Sequence, residues 1–178
     1  MSAHSKNIMV KTAQRYVDAG TFSGIEWQVQ HRGALCYTGS VGRAGCDSSA
    51  PIPDQAIYRI YSMTKPIVAA MAVILLQENR LHLFDPVAKF ISEFEDLIIL
   101  HPDGTREKAT VPITIEHLLT HRAGLSYDFL PDCPVGGLYR EARLAEDGSR
   151  SLTDFVNDLA AMPLAFNPGS RWQYSCSI

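Results

Sequence analysis

Tyr61-Ser62-Met63-Thr64-Lys65-Pro66 stands where a short extended run, Ile57 to Tyr61, meets the most apolar helix that the sequence predicts, Met63 to Asn79. That helix is rich in Ala, Met, Ile and Leu around most of its circumference, the pattern of a helix buried in the middle of a protein. Ser62 stands at its start, and Lys65 lies one turn on, on the same side. A helix N-terminus offers unpaired N–H groups and a partial positive charge, which favour an alkoxide or oxyanion at Ser62. The same field, together with burial, disfavours a charged Lys65, so its pKa is expected to be drawn down towards that of a useful base. Serine is also a favoured helix cap, and spacing alone equally allows an ordinary cap followed by a solvated lysine. Against that reading, lysine is an unfavourable neighbour for a helix N-terminus.

Outward from this segment the chain reads as α/β. Lys6 to Ala19 carries apolar residues at helical spacing and is stopped by Gly20. Ile25 to Gln30 alternates apolar and polar, His31-Arg32-Gly33 turns, and Ala34 to Val41 resumes as a second strand, a hairpin signal. A polar loop runs from Gly42 to Asp54. Beyond the central helix, Asp85-Pro86 has the form of an N-cap with proline at the first helical position, opening a helix through Phe94. His101 to Thr105 is a turn, Thr114 to Thr120 a short helix closed near Gly124, and Asp128 to Gly148 an irregular excursion. Ser151 caps a last helix to about Ala161, with Asp154 in place of the usual glutamate of a capping box. Asn167-Pro168-Gly169-Ser170 then turns the chain into Arg171 to Ser175. Residues 1–61 are thus expected to hold the first helix and strands, and 62–178 the nucleophile helix and a mostly helical region. The sheet looks unfinished, and an open edge is a liability.

Bulk properties narrow the function classes. A chain of 178 residues suits one domain or one and a fraction. Sixteen Lys and Arg against nineteen Asp and Glu give no electrostatic reason to expect nucleic acid or an anionic membrane as partner. The N-terminus lacks the apolar run of a signal peptide, and Pro66 to Leu76 is too short to span a bilayer. Cys36, Cys46, Cys133 and Cys176 show no metal spacing and read as free thiols, which implies a cytoplasmic location. His117 and His121 flank a helical turn beside Glu116. The zinc-protease pattern needs the glutamate after the first histidine, so no metal site is expected, and His121 is expected to bond backbone near the helix end at Gly124.

Three ordered segments resemble the serine β-lactamase-like superfamily, which includes class C β-lactamases, D-alanyl-D-alanine carboxypeptidases, family VIII esterases and related acyltransferases. The first is Tyr61-Ser62-Met63-Thr64-Lys65 with its helix, ending near Gln77 to Leu81 and followed by Phe84-Asp85-Pro86-Val87. The second, Ile113-Thr114-Ile115-Glu116-His117-Leu118-Leu119-Thr120-His121-Arg122-Ala123-Gly124-Leu125, is similar to the group's I-T-x-x-H-L-L-T-H-x-x-G-L stretch. The third, Asn167 to Ser175, resembles its P-G-x-x-x-x-Y-S element. The resemblance implies Ser62 as nucleophile, Lys65 as base and Tyr174 as the catalytic tyrosine. It implies a β-lactamase-like fold, an antiparallel sheet flanked by helices plus a helical region. A phenol beside a protonated lysine is biased towards phenolate, which takes the serine proton and later returns it to the leaving group. Trp27, Trp172, Tyr127 and Phe129 are candidate walls of an acyl pocket, with core packing the alternative for each.

Two departures shape the functional expectation. Class C β-lactamases carry Y-x-N, where this chain has Tyr174-Ser175-Cys176, a form closer to the esterases and acyltransferases. The group's K-T-G or H-x-G-like triplet, on a strand that also lends an oxyanion-hole N–H, has no counterpart in these residues. The 178 residues are therefore expected to be the N-terminal part of a longer enzyme, poorly stable and inactive alone. The leading expectation is a serine hydrolase or acyltransferase acting on a small acyl ester or amide through an acyl-Ser62 intermediate, with no metal or organic cofactor. A β-lactamase or D-Ala-D-Ala carboxypeptidase is the first alternative. A non-catalytic binding protein or inactive fragment is the second.

Overall fold

Ser2 begins the first element by accepting the backbone N–H of Ser5 at 3.1 Å, capping α1, Ala3–Asp18. The computed structural model describes residues 2–145 and 148–178, which divide into two compact units, Met1–Arg59 and Ile60–Ile178. In the first unit β1, Gly24–His31, pairs antiparallel with β2, Ala34–Gly42. Arg32 and Gly33 both take positive φ, 50° and 79°, the two-residue turn whose twist matches that of the flanking strands. A bulge at Val29/Gln30 shifts the register. Trp27 packs across the hairpin on Tyr37, ring centroids 6.3 Å apart, so its place here is within the hairpin.

The second unit carries α2, Thr64–Gln77, and a core built round Phe94, Ile99, Ile113, Leu125, Val135 and Leu164. The turn at 101–105 joins a small hairpin, β3, Ile98–Leu100, and β4, Arg106–Lys108. At three residues each, these strands are too short to show a period of two in sequence. They are held from the other side by Leu164, whose N–H donates to Ile98 O at 2.7 Å and whose carbonyl accepts from Leu100 at 2.9 Å. Three further helices follow: α3, Ile115–Leu119; α4, Gly136–Glu141; and α5, Leu152–Ala160. Ser151 caps α5 with Asp154, as the sequence predicts. Among the described residues no helix is long and apolar enough to cross a membrane.

Four expectations are corrected. Ile57 to Ile60 forms no strand, because no neighbouring strand offers it a ladder, and it ends in Tyr61 at φ 43°. Asp85-Pro86 does not open a helix. Val87 N donates to Ile113 O (2.8 Å) and Ile115 N to Asp85 O (3.1 Å), and this tie holds Pro86 extended, leaving only 3-10 turns at Val87–Lys89 and Ser92–Phe94. The excursion from Asp128 contains α4, whose Tyr139 is a core residue despite the Gly136-Gly137 start; residues 146 and 147 of that excursion lie outside the described ones. Finally, α2 is not buried. Lys65, Ala69, Ala72, Leu75 and Leu76 are half-covered along one stripe, while Ile67, Met71 and Ile74 are exposed. Apolar composition reports what a helix can bury, and among the described residues nothing covers that outer face.

Candidate active site

Tyr61, a non-glycine residue in the left-handed region, is the kind of backbone outlier that needs surrounding structure to hold it. It opens a 3-10 turn, Tyr61–Met63, in which Met63 N donates to Ile60 O at 2.9 Å. Met63 is then the N-cap of α2, with no side-chain cap. Ser62 is therefore not a helix cap. Its side chain is exposed one residue before the helix cap, and it lines a cleft of ≈ 320 Å³ together with Lys65, Tyr127, Phe129 and Tyr174.

Lys65 sits in the first turn of α2, half-buried, and its Nζ donates to Tyr127 Oη at 2.7 Å. The same ammonium lies 5.4 Å from the centroid of the Tyr127 ring and 5.1 Å from that of Tyr174, within cation–π range. The two tyrosine rings are 5.6 Å apart, and Phe129 stacks on Tyr127 at 4.8 Å. Burial pulls the Lys65 pKa down, but the bonds and charge interactions with Tyr127 and Tyr174 outweigh it, and the lysine titrates above its ordinary value. This corrects the expectation of a lowered lysine: the hydroxyls around it hold it as a cation. Sequence reasoning placed Tyr127 only as wall. Its partnership with Lys65 spans 62 positions, and no local spacing signals it.

Tyr174 is placed by pairing between the second and third resembling segments. Arg122 N–H groups reach the Gly169 carbonyl, and Gly169 N donates back to Arg122 O at 2.8 Å. Gln173 N donates to His121 O (3.0 Å), its amide to Ser126 Oγ (2.9 Å), and Cys176 N to Ser126 O (3.4 Å). Gly124 adopts φ 83°, and a Cβ there would come within 2.5 Å of the Phe166 carbonyl, so the close approach of the two segments requires glycine.

Both histidines serve structure. His117 completes a capping box on α3: Thr114 Oγ1 accepts His117 N (3.3 Å) while Thr114 N donates to His117 Nδ1 (3.2 Å), histidine taking the glutamate's part. Burial, joined by the charge of Arg122, lowers its pKa against the opposing pull of Glu116, which keeps Nδ1 an acceptor. His121 itself closes α3 in the left-handed conformation, φ 56°, and its ring reaches Ser175 rather than backbone near Gly124. Among the described residues no group of three or more His, Cys, Asp or Glu side chains is placed to hold a metal. Trp172 lines a neighbouring pocket with Gln173 and Tyr174. A second cavity of ≈ 140 Å³ shares Tyr127 with the cleft and is walled by Tyr139, Leu144, Phe155 and Cys176. Among the described residues the Tyr139 hydroxyl there is buried without a hydrogen-bond partner.

A family model described as Beta-lactamase matches residues 9–176. The chain is 35% identical over 155 residues to "Esterase EstB" of Burkholderia gladioli, covering 84% of this chain and 37% of that protein. It is 34% identical over 143 residues to "Acyltransferase calJ" of Penicillium decumbens, covering 76% and 33% respectively. Among solved structures it is similar to "EstCE1, a hydrolase with promiscuous acyltransferase activity", with a TM-score of 0.73 and 30% identity over 93% of this chain and 42% of that one. The chain thus spans less than half the length of these relatives.

Proposed function

The chain belongs to the beta-lactamase family, and on that footing we propose that it supplies the nucleophile, cation and tyrosines of a serine ester hydrolase or acyltransferase. The observation that carries the reading is the convergence of Ser62, Lys65, Tyr127 and Tyr174 on one cleft. The esterase and acyltransferase named above carry the same family likeness and support the reaction class.

In the proposed cycle a tyrosine phenolate, Tyr174 by resemblance, takes the proton of Ser62 Oγ as that oxygen attacks the acyl carbon of a small ester. The carbonyl π pair moves to oxygen, where a backbone N–H at Ser62 is the proposed donor to the oxyanion. Collapse of the tetrahedral adduct breaks the bond to the leaving alcohol, which takes the proton back from the tyrosine, and leaves acyl-Ser62. Water or an acceptor alcohol repeats the sequence in reverse, releasing acid or a new ester. Lys65 stays protonated throughout. Its role is electrostatic, because a cation held against phenol oxygens stabilises the phenolate form. The cycle draws on no metal or organic cofactor.

The β-lactamase alternative is disfavoured at one position. Where class C β-lactamases present an asparagine, Cys176 lines the second cavity, its thiol pushed up to about 11 by burial. A burst of nitrophenol from a short-chain nitrophenyl ester, lost in Ser62→Ala, is the expected result for these residues within a protein of the relatives' full length. A stable penicillin adduct on Ser62 with no ester burst would favour the alternative, and neither signal would favour a binding protein.

A further inference from the structure

We infer that His121 is the positioning residue for Tyr174, holding the phenol in register with Lys65; the inference rests on Tyr174 being the base proposed above. The residues on either side of Tyr174 are both fastened to this one histidine. Gln173 N donates to His121 O at 3.0 Å, and Ser175 N donates to His121 Nδ1 at 3.3 Å. Between those two anchors the imidazole lies against the Tyr174 ring, centroids 4.8 Å apart and planes inclined at 48°. The Trp172 ring meets the imidazole in an edge arrangement, centroids 6.3 Å apart.

Helix closure does not account for a histidine here. Arg122 N donates to His117 O (2.8 Å) and His121 N to Leu118 O (3.2 Å), the double bond pattern that ends a helix on a left-handed residue. Glycine occupies that position without steric cost, whereas a residue with a Cβ is strained there. Strain retained at a site lined by reactive groups points to work done by the side chain. That work is an acceptor: the Ser175 N–H faces Nδ1, so the ring proton belongs on Nε2. The hydroxyls of Ser175 and Ser177 lie 3.3 and 3.2 Å from the same nitrogen. Ser177 Oγ donates onward to Leu118 O (3.0 Å), closing the bracket on α3. Burial and the Lys65 charge hold the imidazole below its ordinary pKa, in keeping with a neutral acceptor.

Two measurements on the 178-residue chain test this. Nitrogen-15 NMR of the histidine ring should find Nδ1 unprotonated at neutral pH, and His121→Ala should shift the ring resonances of Tyr174. A proton on Nδ1, or unmoved Tyr174 resonances, would overturn the inference whatever the chemistry at Ser62. The second is the rate at which a fluorophosphonate labels Ser62. His121→Ala should slow it at least about tenfold, and His121→Asn, which tolerates positive φ and offers an acceptor, should recover part of the loss. In a Tyr174→Phe background His121→Ala should slow it no further. Equal slowing in both backgrounds would place His121's effect elsewhere and overturn the inference. Labelling that is absent in the wild type, or unchanged in Ser62→Ala, would count against the acyl-serine reading instead, and the NMR result would then decide His121 by itself.

Discussion

The Lys65 ammonium donates to the phenol oxygen of Tyr127 at 2.7 Å while standing 5.1 Å over the ring of Tyr174. One cation is thus shared by two tyrosines. The arrangement differs from the division of labour that an S-x-x-K spacing suggests: the lysine is held charged, and in the proposed cycle the proton passes through phenol.

That arrangement has a pH signature. Lys65 titrates above its ordinary value when folded, so its contribution to stability is complete below the unfolded lysine value of about 10.4. It is lost as pH rises through the higher folded value. Urea denaturation from about pH 9 to about pH 12 should show a decline in the wild type that sets in above about pH 10 and is shallower in Lys65→Met and in Tyr127→Phe. Parallel curves would mean the bond is not maintained in solution.

On the acid side the sign is opposite. His117 and His121 both titrate below their ordinary value, so the unfolded chain takes up protons first. Stability should be full above about pH 6.5 and fall as pH drops from there through the folded values. His117→Gln keeps an acceptor for the Thr114 N–H without titrating, and should flatten part of that decline. His117→Ala should cost about 1 kcal/mol at neutral pH, read by denaturant midpoints. No loss in the alanine variant would show the capping box to be idle.

Among the described residues the Tyr139 hydroxyl is buried without a partner. Removing an unsatisfied buried hydroxyl relieves a desolvation cost, so Tyr139→Phe should leave stability unchanged or raise it by up to about 1 kcal/mol. A loss above about 1.5 kcal/mol, the upper end of a typical hydrogen bond, would reveal an acceptor in that cavity.

The outer face of α2 makes a separate prediction. Met71 is 61% exposed, and a surface substitution away from special features changes stability by less than about 0.5 kcal/mol. Met71→Glu should therefore be nearly silent in denaturation. A loss of several kcal/mol would show that the face is covered in solution.

Much of the local fold was legible in sequence because local rules govern it. The Arg32-Gly33 turn, the Ser151 cap and the 101–105 turn follow from backbone preferences of the residues that occupy them. The three resembling segments contain Ser62, Lys65 and Tyr174, and also His121, which the sequence places only as a backbone partner at the helix end. What was not legible depends on contacts distant in sequence. Pro86 is held extended by Ile113 and Ile115, overriding a good capping signal. Tyr127 gains its role from Lys65, and the sign of the Lys65 shift depends on two phenols that only the fold brings near. The exposure of α2 could not be read from composition either, since an apolar helix looks the same whether or not something covers it.

The central claim, that Ser62 is a nucleophile activated within this cleft, is tested most directly by peptide mapping after treatment with a fluorophosphonate. The account predicts one adduct per chain, on Ser62, absent in Ser62→Ala and much slower to form in Tyr174→Phe. No adduct, or an adduct on any other residue with Ser62 unmodified, would contradict it.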